Sequence, residues 1–446
     1  MNTNITQSLS SVAEIIAEKT ALQPDDIDLN NIFEKLSQSS DDKAIAKVIT
    51  LLEQRITESE QNIWKESPSE SSIKHYQNSF KALEKLHELK TSDERYSFKI
   101  VIPVADRPQH LKHCLDSLLT LCKSYEYGGI KNNKFNKISV LIADDSKSTD
   151  NISQHKKYCS ALAEAGVDTE YFGLKEQLAV VNNTDNNVDI SRIISSADNI
   201  AEFSHKGASI IRNITYLQLR EDNLDPKSLI YFIDSDQEFC INSTTSDDHY
   251  YAINYFHYLD HIFRNKSIEV LTGKVVGDPP VSPSVMAGNF QQDIQAFLTT
   301  IAKLSPEDSC AFHHTQNQDS DEGAAYHDMA NLFGFTGQPH TYNYHCTLEH
   351  EHTNSYCFQD FSKKLEQFFY GEHPTRKTFF NYDNGFSTTA EARTVYTGNY
   401  VIKPSALSHF IPFATLKLRM AGPVLGRLLK NKISGQFVSA NLPMLH

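Results

Sequence analysis

Apolar positions along this chain follow two periods, and the switches between them mark its elements. From Ser97 to Val104 the run Ser-Phe-Lys-Ile-Val-Ile-Pro-Val is nearly continuous in apolar residues and reads as a buried parallel strand. Asp106, Arg107 and Pro108 then give a helix start, with Pro tolerated in the first turn, and Leu111, Leu115, Leu118 and Leu119 continue at helical spacing. A second strand runs from Ile138 to Ala143 and ends in Asp144-Asp145-Ser146-Lys147-Ser148-Thr149-Asp150. The next clear helix carries Ile210, Ile211, Ile214 and Leu217 on one face. Leu229 to Ile233 is a third apolar run, entering Asp234-Ser235-Asp236, and Ile268 to Val276 is a fourth. Strand, helix, strand, helix, strand implies an α/β unit with right-handed crossovers and helices on both faces of a sheet.

Around this unit the pattern predicts three regions. Residues 1–95 show helical periodicity at Val12, Ile15 and Ile16, at Ala44, Ile45, Val48, Ile49 and Leu52, and at Tyr76, Phe80, Leu83 and Leu86, with a polar break at Ser67 to Ser72. Residues 96–277 form the α/β half, interrupted by an Asn- and Asp-rich insertion at 174–205. Residues 278–446 form a second half. It opens with Asp278-Pro279-Pro280-Val281-Ser282-Pro283, too rich in proline for a helix and suited to a stiff loop framing a pocket.

Composition narrows the class. No stretch approaches the length of apolar sequence a membrane helix needs, and the first residues lack a basic start followed by an apolar core. Seven cysteines, an odd number without framework spacing, fit a reducing cytoplasm. A net charge of −14 argues against nucleic acid as the main partner. Yet residues 392–446 contain no Asp or Glu and carry Arg393, Lys403, Lys417, Arg419, Arg427, Lys430 and Lys432. That basic segment predicts an anionic ligand or peripheral contact with an anionic membrane, and is expected to fold against the α/β half and line its pocket. His340, His345, Cys346, His350, His352 and Cys357 raise the question of zinc. Their spacing matches no standard zinc pattern, so they read as polar loop residues.

The candidate chemistry sits at the strand ends. Open α/β sheets bind ligands at the carboxyl edge, and two acids one residue apart there offer hard oxygen ligands to Mg²⁺ or Mn²⁺, which can hold a diphosphate. The bland alternative is a solvated turn capping the next helix.

Four motifs in order across residues 97–239 turn this into a resemblance: an apolar strand ending in Ile-Pro, the Asp-Asp-x-Ser-x-x-Asp loop, the helix start Gly207-Ala-Ser-Ile-Ile-Arg212-Asn213, and the strand end Asp234-Ser-Asp236. The series resembles the nucleotide-sugar half of GT-A glycosyltransferases, closest to the family-2-like group. The resemblance implies a Rossmann-like mixed sheet flanked by helices and a metal-dependent transfer of hexosyl type. It implies a nucleoside-diphosphate sugar as donor; the acceptor, a sugar, small molecule or lipid-linked group, is not legible. It places Pro103, Asp106, Asp145, Arg212, Asp234 and Asp236 at the donor, with Asp145 on the base or ribose. The cation, Mn²⁺ or Mg²⁺, falls to Asp236, Asp234 and a late histidine. Tyr396-Thr-Gly398-Asn399-Tyr resembles the start of the acceptor side, and Asn441-Leu-Pro-Met-Leu-His446 the late histidine element, with His409 as fallback.

One departure stands out. Where inverting relatives carry the acidic base, this chain has Leu418-Arg419-Met-Ala-Gly-Pro-Val-Leu-Gly-Arg427. Either the base comes from Asp278, Asp328, Asp383 or Glu391, or transfer is retaining and the leaving phosphate accepts the proton. Arg419, Arg427 or Lys417 would stabilise that leaving group. Two other classes also use the pattern: a catalytically degenerate binding or scaffold module, and an Asp-x-Asp phosphatase. The phosphatase would carry Thr or Val where Glu238 stands.

Overall fold

A computed structural model describes residues 42–66, 68–183, 203–243, 246–277, 290–313, 335–336, 343–369, 376–377, 380–382, 385–410 and 421–446. Two helices come first, α1 (Asp42–Glu66) and α2 (Glu70–Glu88). The polar break between them holds a reciprocal cap, in which Ser69 and Ser72 satisfy each other's backbone N–H. Then follow β1 (Ser97–Val104), α3 (Pro108–Tyr125), β2 (Ile138–Asp144), α4 (Thr149–Glu164), β3 (Asp168–Phe172), α5 (Leu174–Asn183), α6 (Ala208–Glu221) and β4 (Ser228–Ile233). The α/β half ends with α7 (Tyr255–Asn265) and β5 (Val270–Val276), and the second half supplies α8 (Phe290–Ile301), α9 (Asn354–Phe369), β6 (Thr389–Glu391), β7 (Asn399–Ile402), α10 (Ala421–Lys432) and β8 (Phe437–Leu445).

The main sheet has the order β6-β8-β5-β7-β4-β1-β2-β3, with the two-residue strand Arg376–Lys377 added beside β5. The expected α/β class holds: a mixed sheet flanked by helices, in the Rossmann-like manner. β4, β1, β2 and β3 are mutually parallel, β7 runs antiparallel between β4 and β5, and β8 is parallel to β5. Strand alternation sends neighbouring residues to opposite faces. Ile100, Ile102, Val140, Ile142, Leu229 and Tyr231 join one core with α1, α2, α3 and α7. Val101, Leu141, Ile230 and Phe232 join a second core with α6 and α10. Burial on both faces explains why these strands read as continuous apolar runs.

The helices expected in residues 1–95 are integral to the first core. Phe80 of α2 packs edge-on against Tyr125 of α3 and His257 of α7. The earlier periodicity at Val12, Ile15 and Ile16 lies outside the described residues. Within the α/β half, α4, β3, α5 and α7 have no counterpart in the sequence pattern, and α5 falls where an Asn- and Asp-rich insertion was expected. Helix α4 turns only His155, Cys159 and Leu162 inward, and β3 is a mostly half-exposed edge strand.

The C-terminal segment packs into the α/β half by adding β7 and β8 to the sheet, but of its described residues only Thr397 lines the cavity at the sheet's carboxyl edge, and none of its described cations does. β8 contains Pro443, tolerated because a register shift between Ser439 and Pro443 interrupts the ladder there. Several of its cations are matched locally: Lys403 with Glu269, Lys430 with Glu391, and Arg427 with the Arg393 carbonyl. Lys417 and Arg419 lie outside the described residues. Among the described residues no helix is long and apolar enough to cross a membrane.

Candidate functional site

Because β1, β2 and β4 are parallel, their ends deliver Arg107, Asp145 and Asp234 to Asp236 to one edge of the sheet. β7 starts at that edge, where Asn399 pairs with Ile233, and β8 ends there beside Val276. A cavity of about 460 Å³ opens between these ends and the start of α6, lined by Pro103, Asp145, Gly207, Arg212, Asp234 and Asp236, among others.

Each carboxylate in the cavity has a cationic partner. Asp234 accepts from Arg212, whose guanidinium also reaches the Thr397 carbonyl at 3.4 Å. Burial pushes the Asp234 carboxyl up from its ordinary range, and Arg212 opposes that shift. Asp236 accepts from Arg107 at 2.9 Å, and His446 Nε2 lies 3.7 Å from the same Oδ2. Asp145 accepts from Lys206 and, at 3.0 Å, from the Gly207 N–H. Both members of the Asp145–Lys206 pair are almost fully buried, and Lys206 also donates to the Phe203 carbonyl and covers its ring. Burial pushes the Asp145 carboxyl up and the Lys206 ammonium down, each opposed by the partner's charge.

Local geometry explains why these residues converge. Gly207 caps α6 at φ 96°, a left-handed conformation costly for other residues, and that lets its N–H meet Asp145. Gly398 packs directly on the Asp234 turn: a Cβ there would lie 2.8 Å from Asp234 Oδ2 and from Gln237 Nε2, and its carbonyl accepts from the Asp234 N–H at 3.2 Å. Asn399 locks the same corner. Its amide donates to the Lys274 and Leu442 carbonyls at 2.9 Å each and accepts from Tyr231 at 3.0 Å. The last residue is tied down as well. Leu445 and Glu238 exchange two backbone hydrogen bonds, and the His446 N–H donates to Val276 at 2.9 Å.

Pro103, Asp145, Arg212, Asp234 and Asp236 therefore share the cavity, and His446 is beside Asp236. Asp106 has a different place. At φ 51° it accepts from the Lys147 and Ser148 N–H groups and the Asn151 amide, organising the loop into α4. Glu391 is not brought to the cavity. It is exposed on edge strand β6, four strand spacings from β4, roughly 19 Å at about 4.8 Å each. Asp278, Asp328, Asp383 and Arg419 lie outside the described residues. His409 closes a short 3-10 turn (Pro404–His409) and does not line the cavity. Lys206, Arg107 as an Asp236 partner, and Thr397 escaped the sequence reading. Of these, Lys206 had a signal, since it directly precedes the glycine of the Gly-x-x-x-x-Arg-Asn motif.

Asp236 and His446 bring a carboxylate oxygen and an imidazole nitrogen together from distant parts of the chain, donors of the kind that could hold a divalent cation, while Asp234 is turned to Arg212.

No family model matches the sequence, and no curated protein matches it. Among solved structures, the chain is similar to mannosyl-3-phosphoglycerate synthase from Rubrobacter xylanophilus, at 10% identity and a TM-score of 0.25. That match covers 45% of this chain and 47% of the other, about half the length of each.

Proposed function

We propose that this chain is a glycosyltransferase that binds a nucleoside-diphosphate sugar in the cavity at the carboxyl edge of β1, β2 and β4. The observation that carries the reading is the convergence of Asp236, Arg107 and Arg212 on one cavity, with His446 beside Asp236. Arg107 and Arg212 are suited to the diphosphate, because guanidinium groups bind phosphate oxygens bidentately. Gly207 and Ala208 line the cavity at the start of α6, where a helix N-terminus favours an anion. Asp236 and His446 would hold Mn²⁺ or Mg²⁺, which supplies Lewis-acid stabilisation of the departing diphosphate. Asp145 is a positioning residue that fixes the Lys206–Gly207 turn beneath the donor. For an inverting transfer the base would come from Asp278, Asp328 or Asp383.

A second reading has its own support. Asp234 and Asp236 each already hold an arginine, so the cavity is charge-balanced without a cation. A metal-independent site would bind the diphosphate through the two arginines alone. A thermal-shift screen of nucleoside-diphosphate sugars with and without Mn²⁺ separates the two. Stabilisation that needs Mn²⁺ supports the first reading and stabilisation without it the second. No stabilisation by any donor refutes both.

A further inference from the structure

The part of the chain outside both sheet cores has a small core of its own. Phe297 of α8, Phe335 and Tyr344 of a short hairpin, and Phe361 of α9 pack with Phe312 and Cys357. The Phe297 ring lies 4.1 Å from that of Tyr344 and 4.7 Å from that of Phe361, centroid to centroid. A cluster this small rarely stabilises its surroundings alone, and comparable small units usually carry a staple.

Two segments at the edge of this core are hydrogen-bonded to one another. Cys310 N–H donates to the His352 carbonyl at 2.9 Å, and Cys346 N–H to the Phe312 carbonyl at 3.2 Å, while Ser309 bridges Thr353. The first segment carries Cys310 and His313, a Cys-x₂-His pair. The second carries Cys346 and His352, a Cys-x₅-His pair. One donor atom from each of the four residues lies within 4.8 Å of all the others. Cys346 Sγ is 3.2 Å from His352 Nε2. A tetrahedron with Zn–S of about 2.3 Å and Zn–N of about 2.05 Å has edges of roughly 3.3–3.8 Å.

We propose that Cys310, His313, Cys346 and His352 bind a zinc ion that fastens this subdomain. Two thiolates and two imidazoles complete a tetrahedron and leave no open position, which makes the site structural. The ligands come in two pairs from hydrogen-bonded segments, so little ordering is left to accomplish on binding. His352 also makes the contact that orients a ligating imidazole: its Nδ1 lies 2.6 Å from the His350 carbonyl, leaving Nε2 for the metal. Binding releases the two thiol protons to solvent, so affinity falls in acid. The sulfurs of Cys310, Cys346 and Cys357 are free of disulfides. Of the histidines and cysteines that raised the question of zinc in the sequence, Cys346 and His352 join the cluster. Their partners, Cys310 and His313, come from an earlier segment.

The test uses the full chain, purified under reducing conditions without chelator. Elemental analysis should find about one zinc per chain. Exchange for Co²⁺ should give the intense visible d–d absorption of a tetrahedral site and a thiolate-to-cobalt charge-transfer band. The Cys310→Ser/Cys346→Ser variant should lose both, whereas Cys240→Ala should keep both. Cys240 belongs to the other group with metal-ligand geometry among the described residues, Glu238, Cys240 and His249, and serves as the control. The proposal is overturned if the wild type takes up neither zinc nor Co²⁺, a readout that does not depend on any variant folding. It is also overturned if the double variant keeps its metal, if Cys240→Ala loses it, or if Cys310 and Cys346 are recovered as a disulfide.

Discussion

Replacing Asp145 by Asn tests whether this carboxylate is chiefly a structural anchor. The substitution removes the negative charge while keeping the shape, and it strands the Lys206 ammonium, whose side chain is 2% exposed. Two groups remain to hold Lys206, the Phe203 carbonyl at 2.7 Å and the Phe203 ring. Neither neutralises it. Removing one partner of a buried pair costs about 3–5 kcal/mol, much of it the penalty on the charge left behind. At about 2 °C per kcal/mol for a large chain, the melting temperature should fall by roughly 6–10 °C. Lys206→Met strands the carboxylate instead, and here an escape exists. Burial already pushes the Asp145 carboxyl up, and losing Lys206 pushes it further. A folded-state pKa above the unfolded value adds stability as pH falls. The Lys206→Met protein should therefore recover toward wild type between neutral pH and pH 5, and Asp145→Asn should not. The double variant should be more stable than the sum of the single losses predicts, by about 2 kcal/mol or more. Differential scanning calorimetry across pH measures all four proteins. If Asp145→Asn melts within 1 °C of wild type, or the double-variant cycle closes without coupling, the anchoring role is wrong. Asp145 would then be available to the nucleotide alone.

Other outcomes follow from the same geometry. Gly398→Ala drives a methyl to 2.8 Å from Asp234 Oδ2, so donor binding should weaken about tenfold or more, with circular dichroism unchanged; unaltered affinity would mean that the turn yields freely. Burial, reinforced by the Arg95 charge, pushes the His87 imidazole down to about 3, so the folded state binds fewer protons than the unfolded state below pH 6.5. Stability should therefore fall as pH drops from 6.5 to 5, and His87→Gln should flatten that slope in urea titrations; an unchanged slope would refute the assignment.

The parallel strands were legible because burial on both faces forces long apolar runs, and Leu229 to Ile233 is the clearest case. The site was legible where chemistry sits at a strand end, as with Asp234 and Asp236. Helix α4 was not, because three inward residues, one of them His155, make no apolar stripe. Nor was the partner of Asp145, since Lys206 is 61 residues away and only the fold joins them. His446 reads in sequence as a terminus free to fray. The Leu445–Glu238 backbone pair that holds it belongs to tertiary structure. The cysteine and histidine cluster was hidden for a similar reason. Its two pairs are separated by the hairpin region and match no spacing rule, although hydrogen bonds place them side by side.

The central claim is that a nucleoside diphosphate binds in this cavity through a cation held at Asp236. Calorimetric titration of UDP, GDP and ADP into the wild type and Asp236→Asn, with Mn²⁺ present and in buffer without divalent cations, tests it most directly. One nucleotide should bind the wild type in Mn²⁺ and lose at least about 1.4 kcal/mol, a factor of ten, without it; Asp236→Asn should bind equally weakly in both buffers. Affinity that is the same in all four combinations, or no binding of any nucleotide to the wild type, would contradict the account.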